Sequence, residues 1–298
     1  MRTLLRNGKR ALRRLRHRWR APRIDRVAHR WVGQAPDCTG RRVCIFVTYA
    51  PEGAIPDHAE IHYRAWMAAG FDVILVVCLD DLDGGLAQPV DPVFGLMVRE
   101  NRGYDFGAWA NAIMAAKGLR DATLCVTAND SVYGPLANFG AFVDDLTHRR
   151  ADFIGVVENV EIEPHYQSFL LAFGPRALAA RGFWRFWSGI REGGREAVIQ
   201  NYELRLLRRM QAAGLTTEVM HRCAGDVADN PTLIAWRSLI DAGFPYVKIQ
   251  LLRDNPRGVA LAGWADTLAG QGYDPDIVRR HLKSRTPDEQ GRHIAPAA

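Results

Sequence analysis

No apolar run in this 298-residue chain approaches the eighteen or so residues that a membrane-spanning helix needs. The longest strong one, Val73 to Leu79, has the length of a strand. Charges interrupt the start of the chain every few residues where a signal peptide would have an apolar core, so the chain is expected to stay in the cytoplasm. Cysteines number five, at 38, 44, 78, 125 and 223, an odd count with no CxxC pair. Three of them (44, 78 and 125) fall inside strand-like apolar runs, which points to buried reduced thiols and away from a zinc site or disulfide framework. There is no GxxxxGK[ST], and the glycines near 103 lack the spacing of a dinucleotide fingerprint. No internal repeat, low-complexity tract or mid-chain linker divides the chain, so its length fits one globular domain with an appendage.

Charge is unevenly spread. Residues 1 to 31 hold twelve Lys or Arg against the single Asp25, a local net of +11, which leaves the remainder at about −5 within the overall +6. Leu5, Leu12, Leu15 and Trp19 line up on one face of a helix ending before Pro22. A basic amphipathic helix of this kind suits an anionic membrane surface, with a solvated arm and a nucleic-acid patch as the alternatives. The acidic body and the lack of any nucleic-acid motif argue against nucleic acid as a partner.

Strand-like and helix-like segments then alternate. Val43 to Tyr49, Phe71 to Leu79, Phe94 to Val98, Ala122 to Thr127 and Asp152 to Val157 read as strands. Helices are expected around His58 to Ala69, Ala108 to Lys117 and Phe142 to Leu146. That rhythm predicts a mostly parallel sheet flanked by helices. Beyond it, Gln167 to Phe173 reads as a strand, Phe183 to Ile190 as an aromatic helix, and residues 198–213 and 231–241 as two long helices. His58 and His62, four apart, imitate a metal pair but lack a third ligand, so a half-exposed helix face is expected there. The aromatics between Phe183 and Trp187 are read as core rather than as a sugar platform.

Two turns carry the chemistry. Asn129-Asp130-Ser131 follows the Ala122 to Thr127 run, so Asp130 should emerge at the carboxyl end of a strand, where open α/β sheets bind ligands. A carboxylate there could hold a divalent cation against a diphosphate; the plainer alternative is an Asx turn or helix cap. Upstream, in Arg99 to Ala112, Gly103 and Gly107 let backbone approach a ligand, and Asn101 and Asp105 place an amide and a carboxylate in one turn.

These segments, with Gln167 to Phe173, Val198 to Leu215 and Asn230 to Pro256, resemble the rhamnan synthesis protein F family of polysaccharide glycosyltransferases over roughly Val43 to Trp264. The resemblance implies an α/β fold, a GT-A-like Rossmann-type sheet over residues 41–265; the basic arm at 1–40 and a tail at 266–298, expected to be helical or irregular, fall outside it. It implies a glycosyltransferase that takes a nucleotide-diphosphate sugar, rhamnose being the sugar suggested, to a lipid-linked saccharide of a cell-surface polysaccharide, O-antigen or rhamnan type, at the inner face of the plasma membrane. Asp130 is then the candidate ligand of Mg²⁺ or Mn²⁺, although GT-A enzymes carry Asp-x-Asp where this chain has Asn129-Asp130-Ser131. Glu203 falls on the second acid of the Glu-Asp element that opens a helix in inverting enzymes, and so is the candidate general base; a favourable charge in a first helical turn is its alternative. Thr48, Tyr49, Asp80 and Asp81 end two strands bordering one crevice and are candidates for the base and ribose. Asn101, Gly103 and Asp105 are assigned to the sugar-diphosphate side, and Lys248 and Arg253 to charge compensation. Two rival readings remain open: a catalytically silent sugar- or nucleotide-binding module, and a nucleotide-sugar-modifying enzyme of the dinucleotide-binding type.

Overall fold

The computed structural model describes residues 21–222 and 229–284. The basic amphipathic helix expected before Pro22 lies outside the described residues, as does Cys223. From the N-terminal side the strands are β1 (His29–Val32), β2 (Arg42–Tyr49), β3 (Asp72–Leu79), β4 (Gly95–Glu100), β5 (Leu124–Asn129), β6 (Val132–Tyr133), β7 (Phe153–Asn159), β8 (His165–Tyr166), β9 (Leu170–Phe173), β10 (Thr217–His221) and β11 (Val247–Lys248). The main sheet runs β1-β4-β3-β2-β5-β9-β7-β10, with β8 paired to β7. Strands β4, β3, β2 and β5 are mutually parallel, as are β7 and β10. Strand β9 lies antiparallel between β5 and β7, and β1 runs antiparallel along β4 at the edge. The mixed, mostly parallel sheet expected from the alternation is therefore present.

Strands β2 and β3 are near-continuous apolar runs because both faces of the sheet are covered. On one face, the helices Tyr104–Ala115, Arg181–Trp187 and Leu204–Ala212 pack a core that includes Trp109, Phe183 and Trp187. On the other, Asp57–Ala68 and Phe139–His148 bury Trp66 and Phe142. Phe183 and Trp187 are core, as expected, with Trp184 and Phe186 half-buried against it, and Cys38, Cys44, Cys78 and Cys125 are buried free thiols.

The chain passes from β2 outward through β3 and β4 and then returns to place β5 on the other side of β2. This reversal of strand order makes a crevice between the carboxyl ends of β2 and β5, where Val47 pairs with Asn129.

Several elements differ from their sequence-based expectation. The helix expected from Ala108 begins at Tyr104, so Asp105 sits in its first turn rather than in a loop with Asn101. Gly103 caps it with φ +79°, and an added Cβ would also overlap Ile24, so neither the backbone nor the space admits another residue easily. The 231–241 segment is two short helices, Pro231–Ile234 and Trp236–Asp241, parted at Ala235 where φ is −117°. His58 and His62 are fully buried, not half-exposed, because their helix turns this face to the sheet and both find partners there. His62 Nε2 accepts from Tyr246 Oη (2.9 Å) and Trp66 Nε1 (3.2 Å), and burial pushes its pKa down to about 3. Residues 264–284 form two helices, Trp264–Gly270 and Pro275–Ser284, that join Tyr133, Leu233 and Trp236 in a third apolar cluster.

Gly155 in β7 lies against the Tyr166 ring, with no room for a Cβ. Gly155→Ala should therefore lower stability by about 1–3 kcal/mol in urea denaturation; an unchanged midpoint would contradict this packing of β8 on β7.

Candidate active site

Asp130 stands one residue beyond β5 and is tied back to β2. Its Oδ2 accepts from Thr48 Oγ1 at 2.7 Å and from the Tyr49 backbone N–H at 3.0 Å. From the other face of the sheet, His58 Nε2 lies 3.0 Å from the Asp130 carbonyl oxygen, to which an Nε2–H donates. One carboxylate thus joins the ends of the two strands at which the chain reverses. Thr48 itself is fully buried beneath the crevice, so it acts on Asp130 and not on a ligand.

The neighbouring side chains form a continuous polar chain. Lys248 Nζ donates to Ser131 Oγ (3.3 Å), Ser131 Oγ to Asn129 Oδ1 (2.7 Å), and Asn129 Nδ2 to Asp105 Oδ2 (2.8 Å). Lys248 arrives on β11, which pairs with β6 directly after the Asp130 turn, and its ammonium lies 4.6 Å from the centre of the Phe169 ring. Burial first, then the charge of Asp130, pushes the Asp105 pKa up to about 7 against the opposing pull of the Asn129 amide and Lys248. Burial, with repulsion from Arg195, lowers Lys248 to about 8 although Glu203 and Asp105 attract it. Opposed shifts of two groups in one cleft are a mark of functional sites.

Glu203 faces this cleft. It ends a π-helical turn, Ile199–Glu203, between the helices Arg195–Val198 and Leu204–Ala212, so the long helix expected over 198–213 is one helical run with a widened turn inside it. Such turns recur at functional sites. Glu203 Oε1 accepts from Ser168 Oγ (2.9 Å) and Ser168 N (3.3 Å), which orients the carboxylate.

The cleft encloses about 430 Å³ and brings together Tyr49, Asn101, Asp105, Asp130, Glu203, Lys248 and Arg253. Arg253 is paired with Asp254 through two contacts of 2.9 Å, which offsets its charge. A second hollow of about 550 Å³ adjoins it, sharing Tyr49, Asn101 and Tyr104 and adding Asp80, Gly103 and Glu192. There Tyr49 Oη donates to the Asp80 carboxylate, 3.0 Å from both oxygens. Tyr104 has φ +53°, a costly conformation for a bulky residue and of the kind stored at ligand sites. Asp81 lines neither space; its Oδ1 closes a turn by accepting from the Asp83 N–H.

Sequence reasoning missed Arg195, Ser168 and Asn230, all in the cleft wall. Asn230 had a readable signal, Asn-Pro before an apolar run; its side chain caps the Pro231–Ile234 helix and accepts from Gln167 Nε2 at 2.6 Å. Arg195, in a polar Gly-Gly-Arg-Glu stretch, had none.

The turn is a poor fit for the dication expected at Asp130. Hard cations take oxygen ligands, usually with one or two protein carboxylates among them. Here the residue before Asp130 donates an amide N–H to Asp105, Asp105 holds its proton up to about pH 7, and the Lys248 ammonium reaches the same turn. Among the described residues no group of three or more His, Cys, Asp or Glu is arranged to hold a metal ion.

Ionisable side chains from five separate segments thus converge at the strand-order reversal of an α/β sheet, the arrangement of a ligand-binding or ligand-transforming protein of the doubly wound kind. The family model for rhamnan synthesis protein F matches residues 80–290, and the chain belongs to that family, which supports a glycosyltransferase of polysaccharide synthesis. The match runs past Trp264 and takes in both C-terminal helices. Virulence protein VirA of Vibrio anguillarum is 26% identical over 255 residues, covering 73% of this chain and 81% of VirA. Uncharacterized protein y4gN of Sinorhizobium fredii is 25% identical over 179 residues, 58% of this chain and 46% of y4gN. Among solved structures, a proposed nucleotide-diphospho-sugar transferase of Desulfovibrio desulfuricans aligns over 80% of this chain and 97% of its own at 13% identity and a TM-score of 0.32. HddC of Yersinia pseudotuberculosis covers 47% of this chain and 79% of its own at 13% identity and 0.27. Scores this low carry no argument about function.

Because the folded pKa of Asp105 lies above its ordinary 3.8, its stabilising contribution is full below that value and is lost as pH rises through about 7. Asp105→Asn should therefore melt higher than the parent by a margin that grows to several degrees between about pH 4 and pH 8. A margin independent of pH would contradict the site's electrostatics.

Proposed function

We propose that this chain transfers a sugar, rhamnose in the reading favoured here, from a nucleoside-diphosphate donor to a growing cell-surface polysaccharide of the O-antigen or rhamnan type, with inversion at the anomeric carbon. The observation that carries the proposal is the convergence of Asp130, Asp105, Glu203 and Lys248 in one cleft at the β2/β5 junction. In this reading the base and ribose occupy the hollow beside Tyr49 and Asp80, while Asn101, Gly103 and the Asp105 turn border the sugar diphosphate. Asp130, held by Thr48 and the Tyr49 N–H, accepts from donor hydroxyls at the diphosphate end. Glu203, with one oxygen clamped by Ser168, uses the other to take the proton of the attacking acceptor hydroxyl.

The same proposal gives the acceptor as a lipid-linked saccharide and places the chain at the inner face of the plasma membrane. The support is the basic, amphipathic pattern of residues 1–20. Ala21 and Pro22 line the donor hollow, and the Ala21 carbonyl accepts from Arg191 Nη1 at 2.8 Å. No described helix is long and apolar enough to cross a membrane.

Turnover of a nucleotide-sugar panel separates an enzyme from a silent binding module. With the active donor, Glu203→Gln should lower kcat by about 10²–10⁴ while donor affinity barely changes. A lower melting temperature with no rate defect would instead assign Glu203 to the helix alone. Deleting residues 1–20 should release the protein from anionic liposomes and leave activity on a soluble acceptor intact; equal liposome binding with and without the arm would remove the membrane role.

A further inference from the structure

One stretch of the cleft wall takes no part in donor binding or in removal of the acceptor proton. Strands β5 and β7 both run antiparallel to β9, so Asp130, just past the end of β5, and Asn159, at the end of β7, lie on the same edge of the sheet. The order β3-β2-β5-β9-β7 puts Asp80 two strands to one side of β5 and Asn159 two strands to the other, about 10 Å each way at ordinary strand spacing. Opposite Asn159 in the register of β7 and β8 stands His165. Both line the cleft, at 6% and 5% exposure. Each uses one polar atom on the loop between the two strands. Asn159 Oδ1 accepts from the Glu161 N–H at 2.9 Å, and His165 Nδ1 donates to the Glu163 carbonyl at 2.8 Å, since a carbonyl oxygen can only accept. That leaves an N–H donor on Asn159 and, in the neutral ring, an acceptor at His165 Nε2. Neither has a partner among the described residues, and neither is sealed away as the unpaired polar atoms of the core are, so both face the cleft.

The loop that carries the two anchors is itself held, Glu161 by Arg257 and Glu163 by Arg208. Between them Ile162 is 44% exposed and lines the cleft. Three residues beyond His165, Ser168 holds Glu203. We infer that Asn159 and His165 form the subsite for the acceptor's sugar ring and bring its attacking hydroxyl to Glu203. The inference rests on the sugar-transfer reading of this cleft. A saccharide hydroxyl both donates and accepts, so two neighbouring hydroxyls of one ring satisfy a fixed N–H and a fixed nitrogen lone pair side by side. An ionised diphosphate has no hydrogen to give His165 Nε2, which sets this wall apart from the donor's. Ile162 gives the C–H side of the ring an apolar surface, and the preset loop leaves little to be ordered on binding.

Calorimetry of the full chain with UDP, dTDP, GDP and ADP, followed by saturation-transfer NMR with the diphosphate that binds held at saturation, tests this. The NMR probes are the methyl glycosides of rhamnose, mannose, galactose, glucose and N-acetylglucosamine. At least one glycoside should bind the parent. Asn159→Asp keeps the oxygen that accepts from Glu161 and replaces the outward N–H; His165→Asn keeps an N–H near the Nδ1 position and removes Nε2. Each should weaken glycoside binding by about 5-fold or more while diphosphate affinity and melting temperature stay unchanged. His165→Gln, whose amide reaches the Nε2 position, should restore most of the loss. In the parent, the ring resonances of His165, assigned by their loss in His165→Gln, should shift on adding the glycoside, a readout that does not need the other variants to fold. Binding of no glycoside, or equal binding by the parent and both variants, would overturn the subsite and leave a nucleotide-sugar transferase standing. Lost diphosphate affinity in either variant would assign the pair to the donor and overturn it too. A parent that binds none of the diphosphates would remove the donor reading itself, and the subsite with it.

Discussion

One carboxylate oxygen fixes the geometry on which the site depends. Asp130 Oδ2 takes the Thr48 hydroxyl and the Tyr49 N–H, and so ties the carboxyl end of β5 to that of β2 where the order of the parallel strands reverses. Hydrogen bonds to a charged acceptor are about twice as strong as neutral ones, and both donors here are largely withdrawn from water. The Asn129-Asp130-Ser131 turn is thereby held from below by β2, from the opposite face by His58, and from the side by Lys248 on β11. Each of these comes from a different part of the chain, so the turn's position depends on the packing of several distant segments.

The C-terminal helices belong to this support. Tyr133, two residues beyond the Asn129–Ser131 turn, has its hydroxyl 2.9 Å from His281 Nδ1, and the His281 ring lies 4.1 Å from that of His58. Arg280 pairs with Asp57 at the start of the helix carrying His58. The described part of the segment read from sequence as a tail, residues 266–284, thus packs against the same helix and turn that position Asp130, and it lies within the stretch that the family match covers.

The parts legible in sequence were those set by local pattern. Strands β2, β3 and β5 are apolar because helices cover both faces of the sheet, and that composition is visible without coordinates. The Asn-Asp-Ser turn and Glu203 were legible through motif order. What escaped was set by tertiary context. The Tyr104–Ala115 helix begins on a left-handed glycine with no capping side chain, so no start signal marked it and Asp105 was read into a loop. The π turn before Glu203 leaves the apolar periodicity almost intact, so a widened turn looks like an ordinary one. The missing third ligand points to a half-exposed helix face for His58 and His62; their burial follows from partners on other segments, the Asp130 carbonyl for His58 and the Tyr246 hydroxyl for His62. Arg195 carried no pattern and is found only by its place in the cleft wall.

The account stands on the β2/β5 cleft being the donor site, and a crystal structure of the chain with an intact nucleotide sugar tests that most directly. The diphosphate should lie against Lys248 and the Asp130 turn, with the base in the hollow beside Tyr49 and Asp80 and the anomeric carbon facing Glu203. A nucleotide bound elsewhere on the sheet, or bound in this cleft with its sugar turned away from Glu203, would contradict the account.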